Sequence, residues 1–237
     1  MRLKLSFTIL LFCSLVFVSI GQGTSETAPE QNVNNEAPGI NDLQLRPIRL
    51  PGLQEVGGSP FMKNEYVLGI VHVSPEKTIL NVPVKFNIFN NAIMVQKDGQ
   101  DLKLESFELV TYNETGNQGE IKYVNFKKGY PEIDNHTGAN VYQVLAFGPK
   151  LHLLKYLSQK VEDAPTLGDY SRREIVTTQQ LYIYIPGGEI KRIKTGKKSI
   201  IEALPSMVLE IEEAIKTGEL SMKSENDLIE LVKALNK

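Results

Sequence analysis

Short apolar runs separated by turn signals fill the chain from about residue 57 to residue 195. In the run from residue 82 to residue 88, apolar and polar residues alternate, which is typical of a half-buried β-strand. Pro83 predicts that this strand lies at a sheet edge or contains a bulge. Asp98-Gly99 lies between two such runs and predicts a tight hairpin turn. This succession of short apolar runs and turns predicts antiparallel strands in a meander, a sandwich or an open barrel.

After Thr195 the apolar residues recur every three or four positions, which is the spacing of an amphipathic helix. Gly218 predicts the end of one helix, and Ser224 with Asp227 predicts a capping box at the start of the next. We therefore expect residues 196–237 to form a helical hairpin packed on the β domain of residues 57–195. The predicted fold class is α+β and mainly β.

The first 21 residues have the pattern of a secretory signal peptide: Arg2 and Lys4, an uncharged apolar run from residue 5 to residue 20, and the small residues Ser19 and Gly21. We expect cleavage after Gly21 and no stable membrane span after it. The predicted location is therefore outside the cytoplasm, in the periplasm, on the cell surface or secreted. Residues 22–56 are rich in polar residues and proline and predict a disordered or extended spacer.

Composition restricts the classes of partner and chemistry that we expect. The chain has 26 Lys and Arg against 28 Asp and Glu, and this balance lacks the positive charge that drives nucleic-acid binding. Its one cysteine, Cys13, lies in the predicted signal peptide. We therefore predict no disulfide, no thiolate nucleophile and no cysteine metal ligand after cleavage.

Candidate site residues are few. His72, His136 and His152 do not have the spacing of a metal site on one helix, and we predict no metal ligand, no cofactor and no catalytic residue. Tyr182 and Tyr184 are expected to project from one face of a strand, where they could line a ligand cleft together with tyrosines of neighbouring strands. The alternative is ordinary packing of aromatic residues within a sheet.

Three segments carry a resemblance to a known group of proteins: Gly58-Ser59-Pro60-Phe61, residues 82–89 and residues 197–236. Over about residues 57–237 the chain resembles uncharacterised exported bacterial proteins with a β-meander domain followed by a C-terminal helical pair. The resemblance implies bacterial export and this order of elements. It implies no activity and no site residues.

Three hypotheses about function follow from these features. The first is a non-enzymatic exported envelope or secreted module that binds a partner, which is an unknown protein or small molecule. The second is a carrier of a small molecule in a cleft lined by tyrosines, including Tyr182 and Tyr184. The third is a hydrolase without a recognisable motif. A filled core with one flat exposed patch would favour the first hypothesis, and a deep pocket with convergent polar groups would favour the others.

Overall fold

The computed structural model describes residues 37–48, 53, 55–116, 119–167 and 170–237. The predicted signal peptide and residues 22–36 of the predicted spacer lie outside the described residues. Twelve strands are present in the described part of the chain. They are β1 (Leu45–Pro47), β2 (Val56–Gly57), β3 (Val67–Ser74), β4 (Lys77–Asn87), β5 (Ala92–Lys97), β6 (Gln100–Leu104), β7 (Leu109–Thr115), β8 (Ile121–Lys127), β9 (Tyr142–Phe147), β10 (His152–Asp163), β11 (Arg173–Tyr184) and β12 (Ile190–Ile193).

All twelve strands belong to one open sheet with the order β1-β6-β5-β4-β3-β7-β8-β9-β10-β11-β12. Strand β2 pairs in parallel with β11, and the other pairs are antiparallel. Three helices follow: α1 (Lys197–Ala203), α2 (Val208–Thr217) and α3 (Glu225–Leu235). The predicted fold class is thus confirmed, with an open antiparallel sheet followed by a C-terminal helical pair.

Two hydrophobic cores lie on the same face of this sheet, which we call the core face. One row of directly paired residues connects the two cores. It runs from Phe126 of the first core through Gln143 and Lys155 to Leu181 of the second core. Directly paired residues point to the same side of a sheet, so these four residues share one face. The first core fills the space enclosed by β3 to β8, and the three helices cover the second core.

The sequence signals for turns and helix caps correspond to turns and helix ends in the structure. Asp98 and Gly99 both have positive φ, at 49° and 71°, as a type I′ turn requires. Ser224 and Asp227 form the predicted capping box at the start of α3. Gly218 does end α2, but with a right-handed φ of −85°, and the left-handed residue is Glu219. No helix of the described residues has the length and apolar character needed to cross a membrane.

Three local features differ from the expectation or refine it. Apolar patterning alone predicts a loop at residues 161–172, but residues 161–163 belong to β10, because β10 and β11 continue as a polar ladder with pairs such as Ser158 and Thr178. Strand β4 is central rather than at an edge, but the predicted irregularity is present, because the β3–β4 register shifts between the pairs Gly69–Val82 and Val71–Ile79, just before Pro83. Within the predicted spacer, Ile40 and Leu43 are buried in the first core.

Candidate functional site

The second face of the sheet, which we call the outer face, contains both features that could act as a site. One row of directly paired residues crosses it from β3 to β11. The row consists of Ile70, Thr111, Asn125, Val144, Leu154 and Tyr182. It begins at an exposed apolar residue and ends in a buried aromatic cluster, so the two features lie side by side on one face.

The aromatic cluster lies on β9, β10 and β11 beneath the loop of residues 128–141. We call it the tyrosine cluster, and it consists of Tyr130, Tyr142, Tyr156, Tyr182 and Tyr184 together with His136 and His152. Most of its rings meet edge to face, with centroids 5.1 to 5.9 Å apart, whereas His136 stacks on Tyr156 at 3.8 Å. Edge-to-face pairs are a favourable arrangement for aromatic rings.

Hydrogen bonds fix the orientation of the buried hydroxyl groups. Tyr142 Oη lies 2.8 Å from His136 Nδ1, and Tyr130 Oη lies 3.1 Å from His152 Nδ1. Tyr182 Oη donates to Asp134 Oδ2 at 2.8 Å, and Gln180 Oε1 lies 2.5 Å away as a second acceptor.

The loop that covers the cluster is itself held in place by polar contacts. The Asn140 side chain donates to Tyr156 Oη at 3.2 Å. Asn91, from the turn after β4, accepts from the Val141 amide and donates to its carbonyl oxygen. Phenol groups therefore do more than fill space here, because they also bind the loop that excludes water from them.

Burial sets the protonation states within the tyrosine cluster. Burial raises the pKa of Tyr130, Tyr142 and Tyr182 well above the ordinary value for a phenol. Burial also lowers the pKa of His136, although Asp134 acts in the opposite direction. The pKa of His152 is lowered by burial and by the positive charge of Lys127. Near neutral pH the phenols are therefore protonated and the imidazoles are neutral.

The two tyrosines predicted as ligand-facing both belong to this cluster. Tyr182 is completely buried, and Tyr184 is half-buried against Tyr130 and His152. Their rings face other rings rather than a cleft. The adjoining cavity, beside His152 and Phe147, has a volume of about 80 Å³, whereas pockets for small molecules usually measure about 300–1,000 Å³.

The second feature is a group of large apolar side chains on the outer face of β4, β3 and β8. We call it the exposed apolar face, and it consists of Leu68, Ile70, Leu80, Ile121 and Tyr123. The side chains of Leu68, Ile121 and Tyr123 are 66%, 64% and 68% exposed. Strand β7 runs between β3 and β8 and contributes the polar residues Thr111 and Asn113. An apolar group of this extent on a sheet surface is typical of an interaction site.

The charge on this face is low. On β3, β7 and β8 the residues that alternate onto the outer face are apolar, hydroxyl or amide residues and His72, except for Lys127 at one end. Thr111 Oγ1 donates to Asn125 Oδ1 at 2.8 Å, so two of the polar groups bind each other. The centre of the face is therefore uncharged and mostly apolar.

Several of these residues were not singled out by the sequence. Tyr130 and Asp134 belong to a loop without periodic pattern, and Tyr182, the partner of Asp134, lies 48 residues away in sequence. The residues of the exposed apolar face carried only the signal of ordinary strands. No family model, curated protein or solved structure matches this chain in comparisons with known proteins.

Proposed function

We propose that this chain is a non-enzymatic exported module that binds a protein partner through the exposed apolar face. The observation that carries the proposal is the disagreement between the sequence of β3 and its surroundings. Strand β3 is an almost continuous apolar run, which is the pattern of a strand buried on both faces. Val71 is fully buried on the core face, yet Leu68 and Ile70 on the outer face are exposed.

The chemistry of the face indicates the kind of partner. Five large apolar side chains surround the polar positions Thr111 and Asn113. The charged side chains beside them on the outer face are Lys127 on β8 and Lys85 on β4, which is buried and lies 3.9 Å from Asp101. The partner in this proposal is therefore a different protein with a surface that is apolar and uncharged at its centre. Hydrogen-bonding groups on it would lie opposite the amide of Asn113, and an acidic residue could meet Lys127.

The size of the face is consistent with an interface of moderate affinity. Strands about 4.8 Å apart and about 3.3 Å per residue long give four strands a projected area of roughly 400 Å². Side-chain relief increases the accessible area above that projection. A stable interface buries about 800 Å² on each partner, so we expect the contact to include neighbouring residues such as Phe147, which is 59% exposed.

Site-specific photo-crosslinking in the native host tests this proposal. A benzophenone amino acid replaces Tyr123 in one variant, and in the control it replaces Tyr170, which is also exposed but lies outside the face. We expect position 123, and not position 170, to crosslink to one defined protein. Crosslinks from position 123 to lipid, to a second copy of this chain or to its own residues 1–36 would contradict the proposal.

Binding of the purified partner then provides the quantitative test. Leu68→Asp should weaken binding about tenfold or more, because residues near the centre of an interface contribute about 1–2 kcal/mol or more. The matched control is Leu209→Asp, since Leu209 is 82% exposed on α2 and lies outside the face. Both variants should leave the free energy of unfolding within about 0.5 kcal/mol of the wild type. Equal binding by the two variants would refute the proposed surface.

A further inference from the structure

Tyrosine is the side chain of this protein that loses one electron most readily. The chain contains nine tyrosines and no tryptophan, and its one cysteine is Cys13. A phenol that loses an electron becomes a strong acid and must release its proton at the same time. A tyrosine can therefore be oxidised reversibly inside a protein only where a neighbouring base can accept that proton.

The tyrosine cluster supplies such a base to each of its buried phenols. Tyr142 is bound to His136 at 2.8 Å, Tyr130 to His152 at 3.1 Å, and Tyr182 to Asp134 at 2.8 Å. The imidazoles are neutral near pH 7 because burial lowers their pKa, so each can accept a proton.

The rings of the cluster also form an unbroken path from half-buried to fully buried positions. Tyr184 lies 5.1 Å from Tyr130, and Tyr130 lies 5.5 Å from Tyr142, measured between ring centroids. Tyr142 in turn lies 5.4 Å from Tyr156 and 5.7 Å from Tyr182. Tyr156 and Tyr184 are half-buried, whereas Tyr142 and Tyr182 are fully buried. Rings in contact exchange electrons rapidly. A missing electron on a half-buried ring can therefore be replaced from a fully buried ring, which moves the radical into the interior of the cluster.

We propose that the tyrosine cluster is a site of reversible one-electron oxidation that accepts oxidising equivalents from small radical oxidants. The oxidant takes one electron from the half-buried Tyr156 or Tyr184, and the phenol proton of that residue passes to solvent. An electron from Tyr142 and a proton from solvent then restore that phenol. As Tyr142 loses its electron, its hydroxyl proton moves to Nδ1 of His136. The products are a neutral phenoxyl radical, an imidazolium and the oxidant reduced by one electron. A one-electron reductant returns the electron, and the proton moves back from His136 to Tyr142.

Burial protects this radical from coupling with a second tyrosyl radical. Two phenoxyl radicals on exposed tyrosines couple to form dityrosine, which makes their oxidation irreversible. Tyr142 and Tyr182 have no exposed surface, so a radical on either ring cannot meet a radical on another molecule. The cluster therefore stores the oxidising equivalent until a reductant arrives, which a tyrosine packed only for stability need not do.

Pulse radiolysis of the purified full-length protein with azide radical, a one-electron oxidant of phenols, tests the proposal. The double variant Tyr142→Phe/Tyr182→Phe keeps both rings and removes both buried hydroxyls. The matched control, Tyr123→Phe/Tyr170→Phe, removes two exposed phenols outside the cluster. We expect the phenoxyl radical to decay several-fold faster, and to yield more dityrosine, in the cluster variant than in the wild type. The control should decay no faster than the wild type.

A proton-acceptor variant separates this role from simple packing. His136→Phe keeps a ring stacked on Tyr156 but removes the base bound to Tyr142. Without that base the Tyr142 proton has no acceptor, so radical transfer to Tyr142 should slow at least fivefold. Circular dichroism must show that each variant is folded under the conditions of the measurement. Radical lifetimes that are equal in the wild type and the cluster variant, or transfer unaffected in His136→Phe, would overturn the proposal.

Discussion

Asn236 attaches the last helix to the β9–β10 hairpin, and its removal tests how the helical pair is held on the sheet. Its Oδ1 accepts hydrogen bonds from the backbone amides of Lys150 at 3.0 Å and Leu151 at 2.9 Å. Its Nδ2 donates to the carbonyl oxygens of Leu151 and Val232, both at 2.9 Å. Three of these four bonds join α3 to the hairpin.

The expected magnitude follows from those three bonds. A neutral hydrogen bond contributes about 0.5–1.5 kcal/mol net, so Asn236→Ala should lower the free energy of unfolding by about 1.5–4.5 kcal/mol. In a protein of this size, each kcal/mol corresponds to a shift of about 2–4 °C in Tm. Gly148→Ala should also be destabilising, because a Cβ there would lie 2.5 Å from Asn236 Cγ.

Urea unfolding followed by circular dichroism measures the effect. The matched control is Asn226→Ala, an exposed asparagine in the same helix. Alanine has the higher helix propensity, so this control should be neutral or slightly stabilising. Asn236→Asp keeps the acceptor but places a second oxygen against the Leu151 carbonyl, and it should also be destabilising. A loss below about 0.5 kcal/mol for Asn236→Ala, the range of ordinary surface substitutions, would refute the reasoning.

Two further predictions concern the second core and the histidines. Leu231 is fully buried beneath the helices, so Leu231→Ala should lower the free energy of unfolding by about 2–5 kcal/mol, whereas Leu209→Ala in the exposed position of α2 should have almost no effect in the same urea titration. Burial lowers the pKa of His136 and His152 in the folded state, so the unfolded chain binds more protons and stability should fall as the pH decreases below about 6.5. Unfolding titrations at several pH values should show a smaller fall for His136→Gln/His152→Gln, and an unchanged pH dependence would contradict the assigned shifts.

Elements with a local signal could be predicted from the sequence. The alternation from Val82 to Ile88 predicted a strand with one buried side. Val82, Val84, Phe86 and Ile88 are all buried in the first core, but Lys85 and Asn87 on the opposite side are buried as well. Asp98-Gly99 and the Ser224–Asp227 box were equally clear, because each depends on residues adjacent or three apart. In these cases the physical cause of the structure lies within a few residues of it.

Features that depend on distant contacts could not be predicted in the same way. The ends of β10 and β11 are polar, and hydrogen-bonded pairs such as Gln159 with Thr177 hold them where hydrophobic alternation is absent. The tyrosine cluster is completed by Asp134 and His136, whose loop reaches strands up to 48 residues away in sequence. A loop of this kind has no period, and its role is visible only once the sheet has placed Tyr142 and Tyr182 on one face.

The two halves of the outer face indicate what a partner must supply. Over β9 to β11 the loop of residues 128–141 covers the face, and it provides His136 and Asp134 because the phenols beneath it need hydrogen-bond partners. Over β3 and β8 the exposed side chains are mostly hydrocarbon, as at Leu68 and Ile70, and they have no such need. The proposed partner would therefore gain binding energy there mainly from apolar contact. Its surface should resemble the apolar part of a sheet or helix face, and polar groups are required only where it meets Thr111 and Asn113.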